Sequence, residues 1–238
     1  MAKRESVDGA PQLAKVAGLL ADGTRAAFCL ALLDGRAWTA GELARHAGVA
    51  PATASEHLHQ LVAGGLLAEQ RQGRHRYLRL AGPAVAELIE QLVALAPHSA
   101  APPAPRSLSA AGRQHALARG RTCYDHLAGS VGVAIFDAMA ERGLLEQAGG
   151  LRLTGDGAAW LDELGVGVPS GGRRPAVLAC VDWTERRPHL AGAVGAALCR
   201  HALAAGWVVR IGSTRAVAVT EGGRQVLRER LGVAATAI

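Results

Sequence analysis

The sequence predicts a mainly helical chain with small β ribbons, the α+β class, and three observations predict it. Residues 36–80 alternate capped helices with a basic hairpin. Apolar residues elsewhere recur at helical spacing. A block of the second half occurs twice.

Taken in order, residues 1–10 are expected as a loose tail. From Gln12 onward, Leu13, Val16, Ala17 and Leu20 fall on one helix face. An almost wholly apolar helix is expected from Thr24 to Leu33 and reads as central. Thr39 and Glu42 form a capping box, a hydroxyl at the helix start with a carboxylate three residues on. The helix they open stops at Gly48, which accepts the left-handed conformation of a helix end. Pro51 restarts the chain where a missing N–H costs nothing. That helix runs through Thr53 and Leu61 to Gly64-Gly65. Leu66 to Leu80 then reads as a hairpin with Gly73 near its tip. Helix, tight turn, helix and basic hairpin in this order make a winged helix-turn-helix, which lays its second helix in the DNA major groove.

Pro83 opens a further helix with Val85, Leu88, Ile89, Leu92 and Leu95 on one stripe. Two uses of this stripe stay open, a dimer surface suited to palindromic operators or packing onto the first helix. Pro97 to Arg106 is a linker by composition. The expected division is therefore a DNA-binding and dimerisation domain over 1–96, a Pro/Ala linker over 97–107, and a sensory C-terminal domain over 108–238.

Charge alone does not settle the partner. The net charge is +6, yet the chain holds only Lys3 and Lys15, so a coding bias toward arginine inflates its basicity. Through residue 96 there are 10 basic and 9 acidic side chains. The case for a polyanion partner rests instead on local arrangement. On the second helix of the motif, Ala54, Leu58, Leu61 and Val62 share one face, and Thr53, Glu56, His59 and Gln60 the opposite one, with Ser55 and His57 at the flanks. Hydroxyls, a carboxylate and an amide are the groups that read base edges. In the wing, Arg71, Arg74, His75, Arg76 and Arg79 fall within nine residues. Alternation keeps Leu78 and Leu80 inward and turns arginines to solvent, where they bind phosphates without reading sequence.

These residues resemble the ArsR/SmtB family of bacterial repressors. The pattern runs through Thr39 to Ala44, Pro51 to Leu61, Gly65-Leu-Leu, and Gly73 to Leu80. The resemblance covers about residues 10–96. It implies a homodimer that represses transcription from a double-stranded operator and lets go when an inducer, often a thiophilic metal or metalloid, binds. The dispersed cysteines and the lack of a charged-then-apolar leader or a membrane-length apolar run lead to the expectation of a cytoplasmic protein. Two departures redirect the search for that inducer. The segment Thr39 to Ala44 has no cysteine, and the last helix offers only Glu87, Glu90 and His98. Sensing is therefore expected in the C-terminal region, which itself looks like an extension of long ArsR-like regulators, through Thr122 to Gly129 and Cys180 to Arg187.

That region repeats. His126 to Ile135 matches His189 to Leu198, and Leu153 to Gly157 matches Val219 to Gly223. Two halves, about 120–166 and 183–233, are expected, each reading as helix, turn, two short strands and helix, a degenerate winged helix. Cys123, Asp125 and His126 precede one repeat helix; Cys180, Asp182 and His189 precede the other. Cys123, His126, Cys180, Asp182 and His189 are the candidate ligands for a soft ion such as zinc, cadmium, copper or arsenic(III). Against a symmetric set, Cys123 and Cys180 do not align in the repeat. Other readings stay open: capping and buried filler, an oxidation switch at Cys123 or Cys180, or an organic-ligand pocket beside Trp183. Cys29 and Cys199 read as core.

Four dispersed cysteines exclude a disulfide framework. No apolar run reaches the ~18 residues a membrane helix needs. No phosphate loop, nucleophile elbow or HExxH pair occurs, and Cys123 with His126 is the one pair resembling a nucleophile and base, so no enzyme is expected. The competing expectation is a constitutive DNA-binding module with a structural C-terminal part.

Overall fold

The structure, a computed structural model, describes residues 9–72, 75–96, 108–168 and 175–234, and only the backbone of His75, Pro83 and residues 108–110. Most of the expected tail, the hairpin tip Gly73-Arg74 and the Pro/Ala linker lie outside the described residues. The chain divides into two compact units, Met1–Val85 and Ala86–Ile238.

In the first unit, α1 (Ala10–Leu20) and α2 (Gly23–Ala31) precede a 3-10 turn, Leu32–Asp34. Asp22 caps α2 by accepting from the backbone N–H of Arg25 at 2.9 Å. After β1 (Trp38–Thr39) comes α3 (Ala40–Ala47), then α4 (Pro51–Ala63), β2 (Leu67–Gln72) and β3 (His75–Leu80). The capping box is present. Thr39 accepts from the Glu42 N–H at 3.3 Å, and the Glu42 carboxylate accepts from the Thr39 N–H at 2.7 Å. Gly48 ends α3 at φ +71°, a conformation that disfavours any side chain. The three strands form one antiparallel sheet, ordered β1-β3-β2.

Phe28, Leu33, Leu43, Leu58, Leu61 and Leu78 close the core of this unit. Helix α1 buries none of its residues, and Leu13 is 71 % exposed. Its apolar stripe forms as expected but lies largely open. Where Leu19 meets α4, Gly64 leaves the room.

The second unit takes most of α5 (Pro83–Leu95). The compact division thus falls inside the helix expected to close the first domain, eleven residues before position 96. The cause is burial: Ala86, Ile89 and Glu90 are the buried residues of α5. After α6 (Leu108–Arg119), the chain runs β4 (Arg121–Cys123), β5 (His126–Ala128), α7 (Ser130–Glu141), β6 (Leu145–Glu146), β7 (Arg152–Leu153) and α8 (Gly155–Glu163). It then runs β8 (Leu178–Val181), β9 (Pro188–Ala191), α9 (Gly192–Ala204), β10 (Val208–Arg210), β11 (Val217–Val219) and α10 (Glu221–Leu231). Each stretch is hairpin, helix, hairpin, helix.

The leading hairpin of each stretch differs from the sequence expectation, which began at a helix. His126 and His189 stand on strands. Gly129 (φ +76°) and Gly192 (φ +83°) make the break from strand to helix. Helix α7 rests on β9 and α9 on β5, so the two stretches interlock. Glycines permit the close approach. A Cβ at Gly195 would stand 2.3 Å from the carbonyl oxygen of Leu190, and one at Gly132 would stand 2.5 Å from that of Leu127. Val131, Ile135, Met139, Leu161, Val194 and Leu227 belong to the shared core. Among the described residues no single helix is long and apolar enough to cross a membrane.

Candidate nucleic-acid interface and metal centre

Helix α4 sorts its side chains as a groove-reading helix must. Ala54, Leu58 and Leu61 are buried, whereas Thr53, Ser55, Glu56 and His59 are exposed. Gln60 is less free than the sequence suggests. Its carbonyl oxygen accepts from Arg25, and its amide donates to Glu56 at 3.1 Å. Arg25 also donates to the Leu19 and Gly18 carbonyls and lies 3.4 Å from His57. This arginine was not singled out from sequence; it ties α1, α2 and α4 together and engages one edge of the reading face.

In the wing, Arg71 and Arg79 are exposed, but Arg71 lies 3.2 Å from the Glu69 carboxylate. Arg76 is half-buried and 2.8 Å from Glu69. It shares the inward parity of Leu78 and Leu80, which is why it turns from solvent. One carboxylate therefore offsets two of the expected phosphate-binding arginines. Arg74 lies outside the described residues, and only the backbone of His75 is described.

The second unit brings four of the five candidate ligands together. Each pair sits across an antiparallel ladder, Cys123 opposite His126 and Cys180 opposite His189. Cross-strand pairing supplies the symmetry that the alignment lacked, because residues 124–125 close one hairpin and a longer loop closes the other. All four are buried, and their ligand atoms lie within 4.8 Å of one another. The two Nε2 atoms are 3.1 Å apart. Tetrahedral coordination with nitrogen at ~2.0–2.1 Å from a zinc-like ion would set them about 3.3 Å apart.

A carboxylate stands behind each ring. Nδ1 of His189 lies 3.4 Å from Asp182, and Nδ1 of His126 lies 3.4 Å from Asp125. The two Nε2 atoms face each other directly, and with both rings neutral and protonated at Nδ1 their lone pairs would oppose, an opposition that a shared cation relieves. Burial alone would push the His189 imidazole down; Asp182 and Cys180 overcome this and raise it. Contacts with Cys123, His126 and His189 pull the Cys180 thiol well below the usual thiol range, against its burial. The contact with Cys180, burial and Glu90 push the Cys123 thiol far up.

Asp182 is a correction. It is not one of the converging ligands. Its Oδ2 accepts from Arg121 at 3.0 Å and from the Gly129 N–H at 2.7 Å, and its Oδ1 from the Thr184 N–H, the Thr184 hydroxyl and the Glu185 N–H. Those donors saturate the carboxylate and leave it to orient His189.

Nothing in the sequence singles out Arg121, and Glu90 stands there with Glu87 and His98 as a poor ligand set; both Arg121 and Glu90 are buried charges. Arg121 is fully buried between Asp182 and Glu90, its guanidinium 4.9 Å from the centre of the Trp183 ring. Glu90 of α5 accepts from Cys123 at 2.8 Å, from Arg215 at 2.6 Å and from the Trp183 indole at 3.2 Å. Trp183 is thereby engaged on its face and its N–H. Cys29 and Cys199 are buried in the cores of their units, where burial raises each thiol to about 11.

Residues 20–70 match the helix-turn-helix domain family. Over 226 residues the chain is 39 % identical to an uncharacterised HTH-type transcriptional regulator of Bacillus subtilis strain 168, YdfF, covering 94 % of this chain and 98 % of that one. Among solved structures, the homodimeric winged helix-turn-helix domain of Mb0332 from Mycobacterium bovis, a possible ArsR-family regulator, is 34 % identical, covering 37 % of this chain and 83 % of its own, with a TM-score of 0.33. The transcriptional repressor BigR from Xylella fastidiosa is 21 % identical, covering 42 % and 100 %, with a TM-score of 0.36.

Proposed function

This chain belongs to the helix-turn-helix transcriptional regulators, of the winged kind that its ArsR/SmtB-like motif implies, and we propose that it is a homodimeric repressor released by a soft metal ion held by Cys123, His126, Cys180 and His189. The carrying observation is the convergence of two thiols and two imidazoles from paired hairpins, with a carboxylate behind each ring. Thr53, Ser55, Glu56 and His59 would face base edges, and the wing arginines would hold phosphates. Leu88, Leu92 and Leu95, on one stripe of α5 and exposed, support a second copy as partner there.

The donor set narrows the ion. Two sulfurs and two nitrogens in a closed, dry tetrahedron suit zinc or cadmium. The site holds two thiols, and arsenic(III), with its preference for sulfur ligands, has little else to bind there. Elemental analysis of purified protein should find about one zinc or cadmium per site, and none in a Cys123→Ala, Cys180→Ala double variant. Saturating metal should change DNA affinity by about 5–150-fold. Parent protein that takes up neither ion sinks the metal reading. An affinity shift produced by an oxidant instead would favour the thiols as a redox switch.

A further inference from the structure

We propose that Glu90 is the positioning residue through which occupancy of the Cys123–His126–Cys180–His189 site is passed to helix α5. This rests on the metal reading above and deepens it. The Glu90 side chain is almost wholly buried. One oxygen, Oε2, takes the Cys123 Sγ–H at 2.8 Å. The other, Oε1, takes Arg215 at 2.6 Å and Trp183 at 3.2 Å, with Nε of Arg121 at 3.6 Å. Cys123 is thus the donor that holds Oε2, and it is also a ligand.

A coordinated sulfur cannot play both parts. Were Cys123 to bind a cation, its sulfur lone pair would go to the metal, the Sγ–H bond would be lost, and the proton would leave the buried site for bulk water. Oε2 then faces a thiolate at hydrogen-bond distance, acceptor against acceptor, in a site without solvent to screen the repulsion. The carboxylate has to leave Cys123, and the donors available to it are Arg121, Arg215 and Trp183. Glu90 is rooted in α5, whose buried face is otherwise small and apolar, Ala86 and Ile89. Moving the carboxylate therefore changes how α5 seats on its own unit. That helix starts at Pro83, with two residues, Ala81 and Gly82, between it and the end of wing strand β3 at Leu80. Occupancy and the wing are joined by a helix and a two-residue connection of one chain.

The test uses full-length protein, cadmium as the probe, and a duplex selected from a random-sequence library by the parent protein. Glu90→Gln can donate an amide hydrogen to a thiolate, so the opposition disappears while the ligands stay. The variant should take up cadmium with the parent's stoichiometry and sulfur-to-metal absorption, yet its cadmium-induced change in DNA affinity should shrink to less than about 2-fold, from the parent's ~5–150-fold. An undiminished change in the variant overturns the role of Glu90 and leaves the metal site standing. A parent that binds no cadmium overturns both. A second readout needs no variant at Glu90. The indole N–H resonance of Trp183, assigned through Trp183→Phe, should move as cadmium is added to the parent. An unmoved resonance at full cadmium occupancy overturns the proposal even if Glu90→Gln fails to fold.

Discussion

The wing and the ligand-bearing hairpins use the same pairing of guanidinium with carboxylate in opposite surroundings. At the wing, Glu69 sits between Arg71 and Arg76; burial is the largest single influence and raises it, but the hydrogen bonds and charges of the two arginines together outweigh that and lower it. Arg71 is 80 % exposed there. In the second unit, Arg121, Asp182 and Glu90 are withdrawn from water altogether. Exposed pairs of the first kind are worth about 0–1 kcal/mol. Buried pairs cost several kcal/mol per ion to desolvate and repay it only when every atom is partnered. The difference teaches what each is for. Water makes the wing pairs cheap to break, so they adjust the charge offered to a polyanion. Dryness makes the inner pairs expensive to break, so they fix the positions of His189 and Cys123.

Three substitutions would break or sharpen this contrast. The largest effect is expected from Arg121→Met, which leaves Asp182 and Glu90 short of a cation in a dry site. Unfolding in urea should show a loss of about 3–5 kcal/mol, and a loss under ~1 kcal/mol would refute the inner network as the organiser of the site. Next, Glu69→Gln should leave stability within about 1 kcal/mol of the parent. It would also free two arginines for phosphate, raising non-specific DNA affinity and steepening its salt dependence by up to about two units. An unchanged salt slope would mean that Arg71 and Arg76 face away from DNA. The smallest effect belongs to the α3 capping box. The Thr39 N–H and hydroxyl hold Glu42 below the usual carboxylate range. A depressed carboxylate contributes stability above its unfolded pKa and loses it as pH falls. The parent should therefore lose up to about 1 kcal/mol between pH 5 and pH 3 through this group. Glu42→Gln, followed by thermal melts across that range, should remove that share of the slope.

Local chemistry was legible in the sequence wherever a few neighbouring residues decide the structure. Thr39 with Glu42, Gly48, Pro51 and the alternation through Leu78 and Leu80 each specify their own conformation, and the first unit follows them. The histidines were found through the repeat. Three things were hidden, each depending on partners far along the chain. Glu90 looked like a stray acid on an apolar helix, because the donors that justify its burial lie at positions 123, 183 and 215. Asp182 looked like a ligand, because the N–H groups that saturate it belong to its own loop and to Gly129. Arg76 looked like a phosphate contact, because its partner Glu69 is on the facing strand. Burying a charge is a property of a set of residues, and no single position in a sequence advertises it.

The Cys/His rungs carry one more consequence. Each pair is registered by backbone hydrogen bonds on either side of it, so the chain beyond the rung can lengthen or shorten without disturbing the donor atoms. Residues 124–125 and the longer stretch between Val181 and Pro188 are two solutions to the same closure. A search for kindred centres by fixed intervals between cysteine and histidine would overlook them. The trait to look for is a two-stranded ribbon with a buried thiol facing a buried imidazole, whatever the tether between them.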